Sequence, residues 1–226
     1  MERNNLPDPT TKEKIEKYFK DNLNSCLEID EIHSLLWIVL GEKDTALLLS
    51  ISKRDLNKLR DFVDDFELYL HVREGSKRDL SDRISLRDSR VIKDEVFIAR
   101  NKAHFDKLVR ANDYDGYTAR SIGEFLDYPE SAINFYCRCE DPPAHKLNER
   151  VENWLENEKV EKKDLRFLSL VNYVANNDIN DLETAIKHGK ERKKVLEELD
   201  ETFDFGIGRL IWRECVEDFE NTDFVV

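Results

Sequence analysis

Apolar residues return at helical spacing near the start of the chain. Ile15, Tyr18, Phe19 and Leu23 fall on one stripe from Thr11 onward. Ile29, Ile32, Leu35, Leu36, Val39 and Leu40 mark a second helix, which Gly41 can terminate. His33 and Trp37 lie four apart on that second helix, a spacing that puts them on one face, where packing against a neighbouring helix accounts for both. The pattern then changes. Ala46 to Ile51 is a short apolar run, Ser52 can cap a helix carrying Leu56, Leu59, Phe62, Val63 and Phe66, and Glu67 to Arg73 alternates with Leu68, Leu70 and Val72 on one side. This predicts a strand, a helix and a strand. Glu95 to Arg100 reads as a third strand, followed by a helix carrying His104, Phe105, Leu108 and Val109.

From Tyr117 onward the periodicity is helical throughout, with helices expected over 118–127, 129–139, 143–158, 162–176, 180–200 and 208–220. Pro129, the Pro142–Pro143 pair, the Asn176, Asn177, Asp178 cluster and the Gly206 and Gly208 pair mark the breaks. The expected fold class is α+β: mostly helical, with a small sheet of about three strands in the N-terminal half and a helical C-terminal lobe. Residues 1–10, with Pro7 and Pro9, read as a flexible arm, 11–116 as the α+β lobe and 117–226 as the helical lobe, the two lobes joined without a flexible linker as one compact unit.

Composition narrows the function more than it defines it. The 226 residues are 40% hydrophobic, enough apolar material for a folded core. Acidic residues outnumber basic ones 49 to 36, for a formal charge of −13, so general coating of nucleic acid or of anionic lipid is disfavoured. The start MERNNLPDPTTKEK lacks a basic segment followed by an apolar stretch, and no export is expected. The longest strongly apolar run, Leu35 to Leu40, is far shorter than the roughly 20 residues a membrane-spanning helix needs. With the four cysteines Cys26, Cys137, Cys139 and Cys215 too sparse for a disulfide framework, the expectation is a cytoplasmic protein with no membrane partner.

The segment Thr118 to Cys139 carries a short helix that stops at Asp127 and a second that starts on Pro129. Within it Arg120, Ile122, Gly123, Phe125 and Leu126, then Tyr128, Pro129 and Glu130, then Phe135, resemble an uncharacterised, mainly archaeal family, domain of unknown function 483. The resemblance implies a leucine and a glycine, then Tyr-Pro-x-Cys-Cys and an aromatic helix. Here the glycine position is Asp127 and the paired cysteines are Ser131 and Ala132. A helix C-terminus often needs a left-handed residue, which Gly adopts freely and Asp tolerates. Thiols in the first turn of a helix have lowered pKa values and suit metal or redox chemistry, and neither a hydroxyl nor a methyl replaces them. Whatever thiol chemistry relatives perform cannot be carried over. Read from the residues alone, Pro129 fits the first turn of a helix, where its missing N–H is not needed.

Two basic stretches are the candidate binding residues. Arg73 to Arg110 holds eleven Lys or Arg against seven Asp or Glu, a local +4 that leaves −17 to the remainder. In it Arg78, Arg83, Arg87, Arg90 and Lys93 recur around Ser81, Ser85 and Ser89, a composition able to grip phosphates. Lys187 to Lys194, with Lys190, Arg192 and Lys193, adds five bases against one acid. The alternative explanation for both is a solvated face paired with the many acids. Cys137, Cys139 and His145 offer thiolate and imidazole ligands, but residues two apart on a helix point apart and structural zinc needs four ligands, so partly buried structural thiols explain the two cysteines as well. Gly206-Ile207-Gly208-Arg209, before a helix, suits a turn. No nucleophile elbow, phosphate-binding lysine loop, metalloprotease helix or dinucleotide fingerprint occurs. The first expectation is a non-catalytic binding protein, without cofactor, engaging RNA, a ribonucleoprotein or an acidic protein partner through 73–110. The alternatives are a small-molecule or metal-dependent enzyme with a pocket near Tyr128, Ser131, His104 and Cys139, with Pro129 and Glu130 beside it, and a homodimer built through the helical lobe.

Overall fold

The computed structural model describes residues 9–22, 27, 29–73, 94–112, 116–138, 153–154, 160–171, 178–204 and 206–221. The fold is α+β, with one small sheet in the N-terminal half and helices in the C-terminal part. The chain divides into two compact units, Met1–Asp127 and Tyr128–Val226. The helix expected at 118–127 thus falls in the first.

In the first unit α1 (Pro9–Glu16) runs into a π-helical turn, Lys17–Asn22, and is followed by α2 (Ile29–Val39). Helix therefore begins two residues before the end of the expected arm. Next come β1 (Thr45–Ile51), α3 (Lys53–Asp65), β2 (Tyr69–Arg73) and β3 (Asp94–Ala99). Ser52 caps α3 as its sequence position suggests, its hydroxyl accepting the Asp55 N–H at 3.2 Å. The strand order is β1-β3-β2, both neighbours antiparallel to β3. β1 and β2 are therefore parallel to each other with β3 inserted between them, a split strand-helix-strand unit.

The sheet is covered on both faces. Phe97 meets Tyr117 and Phe125 edge to face at 5.3 and 5.5 Å, and His71, opposite Phe97 on β2, lies 5.9 Å from Phe105. Val96 and Ile98, pointing the other way, are fully buried, and α2 lies against β1 and α3 against β2. The aromatic core there joins Phe62 to Tyr18 and Phe19 at 5.3 and 5.9 Å. Trp37 is fully buried and its indole N–H donates to His33 Nε2, so this pair packs inside the unit.

The helix expected to follow β3 is a 3-10 turn, Lys102–Lys107, capped by Asn101, whose side chain accepts the Ala103 N–H at 2.9 Å. Leu108 is extended, Val109 is exposed, and Arg110 bridges to Tyr117. Two apolar pairs spaced over six residues do not make a stripe long enough to hold an α-helix against a partner. α4 (Ala119–Phe125) is capped by Thr118, which accepts the Ser121 N–H at 3.0 Å. It stops where the sequence indicates: Asp127 is left-handed, with φ 52°.

In the second unit α5 (Glu130–Arg138) starts just after Pro129. The helix expected at 143–158 lies outside the described residues apart from Asn153 and Trp154, which are helical. The helix expected at 162–176 differs. Among the described residues it is α-helical only as α6 (Lys162–Leu165), then tightens to a 3-10 turn, Arg166–Leu170, ending in extended Val171, while 172–176 lie outside the described residues. The reason is α7 (Ile179–Thr202), which presses on that turn at Gly189 and satisfies the Leu170 carbonyl through the Arg192 guanidinium in place of a backbone N–H. α8 (Ile207–Asn221) packs on α7 with equal closeness: a Cβ on Gly208 would lie 2.0 Å from the Leu196 carbonyl oxygen. Trp154, Leu165, Leu182 and Ile186 form a buried cluster beside this packing.

Candidate anion-binding face

The close fit of α7 against the 3-10 turn sets the position of Phe167. With no side chain at Gly189, the turn lies on the helix and Phe167 reaches Trp212 of α8, ring centroids 5.5 Å apart. Three cations lie on these two rings. Arg166 Cζ is 5.4 Å from the Phe167 centroid and 5.6 Å from that of Trp212, Lys190 Nζ is 5.4 Å from Phe167, and Lys193 Nζ is 4.8 Å from Trp212. Each distance is within the range in which a ring face attracts a cation, a contact worth about 0.5–1 kcal/mol at exposed positions. Lys187, Lys190 and Lys194, spaced by three and four residues, continue the positive charge along the exposed side of α7.

The acids on this face are local. Asp164 pairs with Lys190 at 2.9 Å, and Glu197 with Lys193 at 3.0 Å on the next turn. Both bridges have at least one well-exposed partner and hold little energy, so an incoming anion can exchange with them. Arg192 does not face outward with the lysines, because its guanidinium is committed to the Leu170 carbonyl. Tyr128, four residues before Ala132 on the way into α5, has its hydroxyl pushed up to about 12 by burial, which the nearby Arg192 charge only partly opposes. It stays protonated at neutral pH and is no base.

The other expected site residues are distributed. Pro129 accepts the Ile133 N–H through its carbonyl, Glu130 accepts from the Asn134 side chain at 3.0 Å, and Ser131 is half-buried in the first turn of α5. His104 belongs to the first unit and Tyr128 and Ser131 to the second. Cys137 is an exposed free thiol, whereas Cys139 and His145 lie outside the described residues. So do Arg78, Arg83, Arg87, Arg90 and Lys93.

Three of the described cations of 73–110 are engaged within the fold. Arg73 pairs with Glu95 at 2.5 Å, Arg100 donates to the Ile38 carbonyl at 3.5 Å, and Lys107 pairs with Asp127 at 2.6 Å. Among the described residues, the His, Cys, Asp and Glu that gather within ligating reach of one another are Asp44, His104 and Asp127. No helix of the described residues is long and apolar enough to cross a membrane.

The sequence marks Lys190 and Lys193 of this face as candidates, but not Arg166, Phe167 or Trp212. The Arg-Phe pair at 166–167 was visible, yet its meeting with Trp212 depends on how three helical segments pack, which no local spacing reports. Comparison of the chain with protein-family models, with curated proteins and with solved structures finds no match.

Proposed function

We propose that this is a non-catalytic binding protein whose second unit engages single-stranded RNA through the face built by Arg166, Phe167, Lys190, Lys193 and Trp212. The observation that supports this reading is the coincidence of charge and π-surface: three cations rest on two touching aromatic rings. Single strands are held by a positive groove along the phosphates together with aromatic side chains on which bases stack. A phosphodiester chain arriving here meets both. As lysine and arginine heads turn toward phosphates, they uncover ring faces for the bases.

The overall charge of −13 fits selective contact better than general coating, because only a local positive face escapes the repulsion of the whole. The stretch 73–110 remains the second candidate surface, through Arg78, Arg83, Arg87, Arg90 and Lys93. Ultraviolet crosslinking of the full chain to a labelled oligouridine, followed by peptide mapping, separates the two. Adducts on the peptides containing Phe167 and Trp212 are expected. Adducts confined to 73–110, or none at all, overturn the assignment to the second unit.

A further inference from the structure

We infer that Asp44, His104 and Asp127 form a binding site for a divalent transition-metal ion, in the unit that does not carry the aromatic and cationic face. The three residues come from separate parts of the chain. Asp44 precedes β1, and its carbonyl accepts the Arg100 N–H at 2.9 Å, which ties the entrance of β1 to the exit of β3. His104 stands on the 3-10 turn that Asn101 caps immediately after β3. Asp127 ends α4, whose Phe125 carbonyl is bound by the buried Thr45 hydroxyl at 2.7 Å, so α4 is fixed to β1 as well. Three rigid anchors therefore meet at one end of the sheet.

One oxygen from each carboxylate and one imidazole nitrogen all lie within 4.8 Å of one another. Asp44 Oδ2 is 4.0 Å from His104 Nε2 and Asp127 Oδ2 is 4.0 Å from Nδ1, so the carboxylates flank the two ring nitrogens and an ion on Nδ1 draws Asp44 round from the Nε2 side. Donors about 2.0–2.1 Å from a tetrahedral ion stand about 3.3 Å apart, so closing on an ion brings the donors together by up to about 1.5 Å through rotation of the exposed Asp side chains. A second observation concerns the imidazole itself. His104 Nδ1 is shut off from solvent and has no hydrogen-bond partner, an unusual condition for a buried polar atom. An ion at this nitrogen supplies what the protein does not.

The donor set decides the class of ion. Two carboxylates with one imidazole suit borderline ions such as zinc, manganese or ferrous iron, while calcium and magnesium prefer oxygen alone. Asp44 and Asp127 are about half-exposed, at 56% and 47%, which leaves coordination positions open to water. Lys107 is the built-in opponent: its ammonium holds Asp127 Oδ1 at 2.6 Å, leaving Oδ2 for the ion while lowering the charge of the site.

The test uses cobalt(II) as the probe ion on the full chain after treatment with chelator. A single equivalent is expected to bind with visible ligand-field bands and no thiolate-to-cobalt charge-transfer band. Asp44→Asn and His104→Gln should each weaken binding tenfold or more, with folding checked by circular dichroism. Lys107→Gln should tighten it severalfold by freeing Oδ1. Glu183→Gln, an exposed acid on α7, should change nothing. Absence of saturable binding, a thiolate band, or unchanged affinity in either the Asp44 or the Lys107 variant overturns the site.

Discussion

Gly189→Ala isolates the contact on which the aromatic face depends. An alanine in the middle of a helix ordinarily gains about 1 kcal/mol over glycine, so propensity alone makes this substitution stabilising. Packing reverses the sign. A Cβ at this position would stand 2.0 Å from the Phe167 carbonyl oxygen and 2.7 Å from its carbonyl carbon, where ordinary contact begins at 3.4 Å. The obstacle is backbone, so no rotamer change relieves it, and the 3-10 turn must retreat from α7 as a body. Overpacking of this kind costs about 1–3 kcal/mol, and the upper end applies where nothing flexible can yield. The balance is a net loss of about 2 kcal/mol. Urea denaturation followed by far-ultraviolet circular dichroism measures it, with Glu191→Ala as an exposed control on the same helix that should stay within about 0.5 kcal/mol. Because the retreat carries Phe167 away from Trp212, oligonucleotide binding should weaken in the same variant. A Gly189→Ala protein as stable as the wild type, or more so, refutes the close approach of turn and helix.

Two further outcomes test the first unit. Burial between Phe97, Phe105 and Tyr117, followed by the charge of Arg110, holds the His71 pKa below its ordinary 6.5. The unfolded chain therefore takes up a proton at a higher pH than the folded one. This contribution to stability is complete above pH 6.5 and is lost as the pH falls from there toward the folded value. His71→Gln, which keeps a polar group opposite the Tyr117 hydroxyl but cannot titrate, should show a smaller loss of stability between pH 7.5 and 5.5; an identical loss in both proteins would contradict the burial argument. Ser52→Ala removes the acceptor for the Asp55 N–H and should cost about 1 kcal/mol in the same denaturation assay, whereas an unchanged midpoint would mean that the cap adds nothing.

What could be read from the chain followed the range of the interactions that create it. β1, α3 and β2 were legible because alternation, a Ser cap and an amphipathic stripe are written within a few residues. The stop at Asp127 was legible for the same reason, although the left-handed residue is an aspartate where Gly is commonest. The insertion of β3 between β1 and β2 was not, since partner choice in a sheet is decided by distant residues such as Phe97 meeting Leu47 and His71. Both 3-10 turns read as α-helices because short apolar groupings at helical spacing, such as Phe105 with Leu108 and Val109, look in sequence like the start of a stripe. Their tightening comes from the surroundings: the extended bridge of Arg110 to Tyr117 in one case and the pressure of α7 at Gly189 in the other. The lysines of α7 were visible as a charge run, but the rings that hold them lie in segments far apart along the chain.

The proposed partner of the aromatic and cationic face of the second unit is single-stranded RNA. Fluorescence anisotropy of a labelled oligouridine, titrated with wild-type protein and with a Lys190→Glu, Lys193→Glu variant at 50 and 200 mM salt, tests it most directly. Three phosphate contacts correspond to a slope of about −2 in log affinity against log salt, or about 20-fold weaker wild-type binding at the higher concentration. That weakening is expected, together with a loss of at least tenfold in the variant at low salt. Wild-type binding that ignores salt, or a variant that binds as well as the wild type, would contradict it.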